Sequence, residues 1–227
     1  MRASTRTLST LAHRLTTPSA FIRARGAPAV PPPSLRDDFV LFPTFFSAAE
    51  SRALAELALW KLDRMDSTRR RRRRTNPSAA GDAAAAGLQD LFAGPYGFEE
   101  GHFDSVIHQY RESLVTTLPP VQPATLALLA RLYNLVPTLS VPDTPEPADL
   151  PPARSSTHVL HLAPEGAILP HVDNLEAMGE TIVGAVLGAP RVLRLEVEAD
   201  GDKHGWDVLV PSGSVYLQKW VTWGSCC

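Results

Sequence analysis

The sequence predicts an α+β fold in which helices come first and an antiparallel, jelly-roll-like sheet follows, on three observations. Apolar residues recur at helical spacing in the first part of the body. A proline-rich segment, Pro137 to Pro152, then marks a loop, after which the periodicity becomes strand-like. From Thr157 onward, short apolar runs are separated at close spacing by Gly, Pro and Asp, the punctuation of a β-sandwich or barrel. At 227 residues and 44% hydrophobic, the chain can bury one sizeable core, so one domain is expected.

Taken in order, the first 36 residues carry six arginines and nine Ser or Thr, and the first acid is Asp37. That composition is that of an organelle transit peptide, selected for import as a basic amphipathic helix; a disordered arm is the plainer alternative. Ala27 to Ser34 is Pro-rich and reads as an extended linker, so residues 1–34 are set apart from the body. Ser47 followed by Glu50 is a capping-box pattern, and Leu54, Leu57 and Ala58 supply a helical stripe to about Lys61. Arg69, Arg70, Arg71, Arg72, Arg73 and Arg74 form an uninterrupted run before an Ala-rich stretch. Six like charges repel one another and cannot be buried, so the run reads as a solvated loop or as a basic patch for nucleic acid or acidic lipid. A second helix is expected from Pro123 to about Leu135, with Leu126, Leu129, Ala130 and Tyr133 on one face. Strands are expected at about Thr157 to Ala163, Ala167 to Asp173, Thr181 to Gly188, Arg191 to Glu198, Trp206 to Val210 and Ser214 to Gln218. Ala189-Pro190 and Ala199 to Gly205 read as hairpin connections between them.

Twenty-two basic residues against 24 acidic ones leave a formal charge of −2, so the whole chain lacks the positive excess of a nucleic-acid-binding protein. Cleavage near Gly26 would leave a distinctly acidic body. No run approaches the ~20 apolar residues of a membrane span, and a soluble monomer is expected. The two cysteines, Cys226 and Cys227, are adjacent and terminal, which excludes a disulfide framework or zinc finger and fits a reducing compartment. A terminal Cys-Cys is also the pattern of a double prenylation signal, though nothing else in the chain points to lipidation.

The most chemically pointed feature is His171-Val172-Asp173, just past Gly166 and Pro170. On a strand, residues two apart project from the same face, so one imidazole nitrogen and one carboxylate oxygen can reach a single metal ion. That makes two thirds of the facial triad of non-haem iron oxygenases. A polar pair in a turn is the alternative.

Three separated segments extend this reading. One is Gly101-His102-Phe103-Asp104-Ser105-Val106-Ile107-His108-Gln109-Tyr110-Arg111-Glu112, preceded by the arginine run and Tyr96. The second is His158-Val159-Leu160-His161-Leu162-Ala163 through Gly166, Pro170, His171 and Asp173, then Gly179, Thr181-Ile182 and Arg194-Leu195. The third is Gly213-Ser214-Val215-Tyr216-Leu217. Together they make residues 35–218 resemble the AlkB family of iron(II)- and 2-oxoglutarate-dependent dioxygenases, and its mitochondrial branch in particular. The resemblance implies a double-stranded β-helix (jelly roll), with His171 and Asp173 as ligands of Fe(II), 2-oxoglutarate as co-substrate and O2 as oxidant. It also implies a mitochondrial matrix location. Leu160 and Leu162 take the places of the Asn and Tyr that hold 2-oxoglutarate in the wider family. Tyr216 matches a tyrosine that contacts the co-substrate, and its phenol can donate to a carboxylate. A half-buried sheet aromatic is the alternative for Tyr216, and ordinary strand histidines for His158 and His161. A period of two puts Leu160, Leu162 and His158 on one strand face and His161 on the other.

The family pattern continues with a distal histidine about a dozen residues after the position of Tyr216 and then an arginine that pairs with the co-substrate. Residues 219–227 do not follow it, and neither His nor Arg occurs after His204. His204, in Asp200 to Gly205, reads as a solvated turn residue rather than a substitute ligand. The expectations are therefore that the last strands are missing and that these 227 residues are inactive by themselves. A frameshift, retained intron or mis-called exon boundary is preferred to evolved loss. Protein, small molecule and alkylated nucleic acid stay open as substrates; a non-catalytic scaffold that binds nucleic acid or protein through the arginine run is the competing reading.

Overall fold

A computed structural model describes residues 12–16, 19–26, 38–65, 87–172, 179–199 and 202–219. Among them are ten strands and two α-helices, and every strand pairing is antiparallel. The chain divides into two compact units, one built from residues 1–48 with 179–227 and the other from 49–178.

The first unit holds two sheets around one core. Strands β1 (His13–Arg14), β3 (Phe39–Phe42), β10 (Val215–Lys219) and β7 (Thr181–Ala185) form one sheet in the order β1-β3-β10-β7. Strands β2 (Ile22–Arg25), β9 (Asp202–Val210) and β8 (Arg191–Ala199) form the other in the order β2-β9-β8. Phe39 and Leu41 from the first sheet meet Ile22, Leu195, Trp206, Val208 and Val210 from the second, with Leu15 joining from the turn after β1. The spacing of two between Phe39 and Leu41, and along Trp206, Val208 and Val210, is what a pleated strand needs to aim apolar side chains at one face. Val40, Val215 and Leu217 are buried as well, so β3 and β10 are covered on both faces, which fits their apolar composition.

This unit corrects several sequence expectations. Strands precede the first helix, and two of them lie within residues 1–34. Leu15 and Ile22 are buried in a core. The expected turn from Ala199 to Gly205 is mostly strand, because β8 and β9 pair in register out to Ala199 opposite Asp202. His204 is thus a strand residue opposite Val197, not a solvated turn histidine. The 181–188 strand ends at Ala185, and the 214–218 strand shifts by one to Val215–Lys219.

The second unit begins in helix α1 (Ala48–Met65), which starts directly after Ser47 and continues past Lys61. Its buried stripe is Ser51, Leu54, Ala55, Leu59 and Leu62; Leu57 and Ala58 sit at its margin. Helix α2 (Pro123–Tyr133) has Pro at its first position, where the missing N–H costs nothing, and buries Leu126 and Ala130 against Val141 and Leu150. Asn134 ends it, exchanging two 3.0 Å hydrogen bonds with the Val141 backbone. Arg131 of α2 pairs with Glu50 of α1 at 3.0 Å.

The third sheet, β4 (Glu99–Gly101), β5 (Ile107–Leu114) and β6 (His158–Ile168), belongs to this unit, and β4 and β5 were not expected. The strands expected at 157–163 and 167–173 are one strand, β6, with an irregularity inside it. Tyr110 of β5 faces Leu162, but His108, two residues earlier, faces Ala167, five residues later. β4 pairs with both His108 and Tyr110 at regular spacing, so the excess belongs to β6. Ala163 to Gly166 is therefore a β-bulge. Gly166 is required there, because a Cβ would stand 2.5 Å from the Gln109 carbonyl oxygen and 2.9 Å from the Ala163 nitrogen.

Candidate active site

β6 ends at Ile168, and His171 lies beyond it rather than on a strand. Pro170 has no N–H to donate to a ladder, which explains the early stop. His171 is exposed, and its Nδ1 lies 2.8 Å from the Leu169 carbonyl oxygen. A carbonyl only accepts, so Nδ1 carries the proton and Nε2 keeps the lone pair that a metal ion takes. Ligating histidines are commonly oriented in this way, by donating the other ring nitrogen to a backbone carbonyl. Asp173 lies outside the described residues, as do Arg69 to Arg74 and the tail from Trp220. Among the described residues, no group of three or more His, Cys, Asp or Glu side chains converges as a metal site.

The two faces of the β4-β5-β6 sheet have different characters. On one, β6 contributes Leu160, Leu162 and His158, directly opposite Glu112, Tyr110 and Leu114 of β5. Leu160 and Leu114 are markedly exposed there. Tyr110 is buried and its hydroxyl donates to Glu99 at 3.4 Å; burial first, then the Glu99 charge, pushes the phenol above its ordinary value. His158 bonds Glu112 through Nδ1 at 2.6 Å and Ser156 through Nε2 at 3.2 Å. The sequence signal was Glu112 at the end of the first family-like segment, whose pairing partner could not be read without the sheet register.

On the opposite face, His161 sits beside buried Arg111, its cross-strand neighbour. The rings of Phe92, Tyr96 and Phe98 meet His161 edge to face, with centroids 5.5, 5.0 and 5.0 Å away. The Arg111 guanidinium lies 4.4 Å from the Tyr96 ring centre and pairs with Asp63 of α1 at 3.1 Å. As the period of two requires, His161 and the two leucines point opposite ways, and the aromatic segment from Phe92 to Phe98 covers the His161 side.

Tyr216 belongs to the other unit. It is half-buried on β10, stacked on Phe39 at 6.1 Å and 16° between planes. It pairs across the sheet with Gly184, where any side chain would overlap its ring. His171, Leu160 and Leu162 thus share a unit, and Tyr216 does not.

No family model matches the chain. Comparison with curated proteins nevertheless finds it similar, over about half its length, to two AlkB-like dioxygenases. It is 33% identical over 125 residues, 54% of this chain and 49% of the relative, to the Bos taurus protein named alpha-ketoglutarate-dependent dioxygenase alkB homolog 7, mitochondrial. With the Mus musculus protein of the same name it shares 31% identity over 122 residues, again 54% and 49% of the two chains. The chain spans about half the length of these curated relatives.

Proposed function

We propose that the chain is an Fe(II)- and 2-oxoglutarate-dependent dioxygenase of the mitochondrion, with residues 35–218 contributing to a jelly roll. His171 carries the proposal: its proton is fixed on Nδ1 by the Leu169 carbonyl, so its Nε2 is presented in the form a ferrous ion binds. With Asp173 it would supply one nitrogen and one carboxylate oxygen, a donor set that fits this metal. Bound iron would supply oxidation of a C–H bond coupled to decarboxylation of 2-oxoglutarate. The protein's part is positioning. Leu160 and Leu162 would form an apolar wall for the co-substrate that limits access of water, and Tyr216 would donate its phenol to a carboxylate.

The two curated relatives support the mitochondrial assignment through their names. His171 and Asp173 would be two of the three protein ligands that the family uses. The test is titration with Co(II) as an optical stand-in for iron, alongside succinate formation from 2-oxoglutarate. A ligand-field band that disappears in both His171→Ala and Asp173→Ala is expected. A band unchanged in either variant would sink the ligand assignment, and succinate formation that survives both substitutions would sink the dioxygenase reading of the pair.

A further inference from the structure

The open face of the β4-β5-β6 sheet carries a second arrangement that the dioxygenase reading does not use. Ser156, His158 and Glu112 stand in the order nucleophile, base and orienting acid. Glu112 Oε1 lies 2.6 Å from His158 Nδ1, and an ionised carboxylate can only accept, so the imidazole proton sits on Nδ1. Nε2 of the neutral ring is then an acceptor, and the Ser156 hydroxyl stands 3.2 Å from it. The partners come from two strands and the turn before β6, and the register fixes them: His158 is directly opposite Leu114 and Glu112 directly opposite Leu160, so the pair is a diagonal cross-strand contact. Tyr133 anchors the same stretch through its hydroxyl, 2.7 Å from Thr157 Oγ1.

The geometry points to an acyl-transfer site at Ser156, with small activated carboxylic esters as its substrate class. A nucleophile in hydrogen-bond reach of a base that is itself oriented by a third group is the constellation such chemistry requires. The Ser156 oxygen attacks the ester carbonyl while its proton passes to His158 Nε2. The ester C–O bond breaks, and the same proton leaves with the alcohol. Water then attacks the acyl-serine, giving its proton to His158 and releasing the carboxylic acid, so the serine is regenerated with no outside oxidant or reductant. Glu112 is the positioning residue that holds the ring and offsets the charge of the imidazolium. Exposed Leu114, directly opposite His158, flanks the pair on the same face and offers contact to a short acyl chain. Ser156 and His158 are themselves exposed, so ester reaches them without any opening motion. The same exposure keeps the site wet and favours reactive esters over amides.

The full chain, with EDTA present to keep metal chemistry out, is incubated with p-nitrophenyl acetate and, separately, with a fluorophosphonate probe. We expect the label on the peptide containing Ser156, and hydrolysis that falls by about a hundredfold in Ser156→Ala and His158→Gln, the usual scale of a lost nucleophile or general base. In Glu112→Gln labelling should persist at a lower rate with its pH profile displaced, an effect a purely structural tie between strands would not give. Ser156→Ala changes one exposed hydroxyl, and its circular dichroism should match that of the parent. Absence of label at Ser156, or ester hydrolysis unchanged in Ser156→Ala, overturns the assignment and leaves the three residues as a strand-to-strand tie.

Discussion

At Gly184 the ring of Tyr216 lies over the place a Cβ would take, and Phe39 backs the ring from the other side. Gly184→Ala therefore overpacks a well-filled sheet, and a loss of about 1–3 kcal/mol in denaturant unfolding is expected. Tyr216→Phe keeps the ring and its stack on Phe39 while removing the hydroxyl. It should melt above Gly184→Ala yet bind 2-oxoglutarate more weakly than the parent in calorimetry, if the phenol meets the co-substrate as proposed. Equal affinity would reduce Tyr216 to a packing residue. At the residue scale the opposite facing of His161 and the two leucines is legible from the strand period, whereas the metal role of His171 and Asp173 rests on the family resemblance as well as on their spacing. The contact of His158 with Glu112 is hidden from the sequence because the two are distant in the chain and their meeting depends on register, which local sequence does not encode. The enclosure of His161 by Phe92, Tyr96 and Phe98 was hidden for the same reason.

Among the elements, the β2-β9-β8 sheet is laced by charge on its outer side. Asp207 of β9 faces Arg194 of β8 at 2.8 Å, and Arg25 of β2 lies 3.8 Å from the same carboxylate. The hydrogen bond from Arg194, aided by the charges of Arg194 and Arg25, lowers the Asp207 pKa below the ordinary carboxylate value. A depressed folded-state pKa contributes stability that is present above the unfolded value of about 3.9 and is lost as pH falls through the folded value. The carboxyl carbon resonance of Asp207 should accordingly titrate below that of an isolated Asp, and Arg194→Gln should move its midpoint upward. A midpoint indifferent to Arg194 would show that the pair exists only statically. Such exposed pairs shape register more than they add stability. The later strands were legible because β-branched and aliphatic runs such as Arg191 to Ala199 are bounded by turn residues. Strand β5 was not: its sequence, Ile107 to Leu114, puts Arg111 and Ser113 in buried positions, and a polar residue buried by a partner elsewhere breaks the alternation on which strand assignment rests.

For the molecule as a whole, the N-terminal residues join two readings that pull apart. Their composition is that of a leader, yet Leu15 and Ile22 are buried in the core of the first unit and β2 pairs with β9 from Ile22 opposite Val208 to Arg25 opposite Gly205. A chain starting after Gly26 loses both side chains and two strands, β1 and β2. Its thermal midpoint should fall by several degrees relative to the full chain, since each buried aliphatic lost costs about 2–5 kcal/mol. Sequencing the N-terminus of the protein recovered from mitochondria tests whether that loss occurs in the cell. A mature start upstream of Leu15 would mean that these residues serve the fold rather than import. The leader pattern was legible as composition, whereas its pairing with strands some 180 residues later in the chain lies beyond any local reading.

The bulge in β6 sets the phase between the two halves of the candidate site. Leu162 and Ala167 are an odd number of positions apart, so in an uninterrupted strand they would look to opposite sides of the sheet. By spending three extra residues on the loop at Ala163 to Gly166, the chain brings Ala167 opposite His108 and so onto the side that Tyr110 and Leu162 already occupy. The loop acts as a parity inverter. That loop, with the glycine it needs at 166, decides on which side of the sheet the chain continues beyond the leucines toward His171.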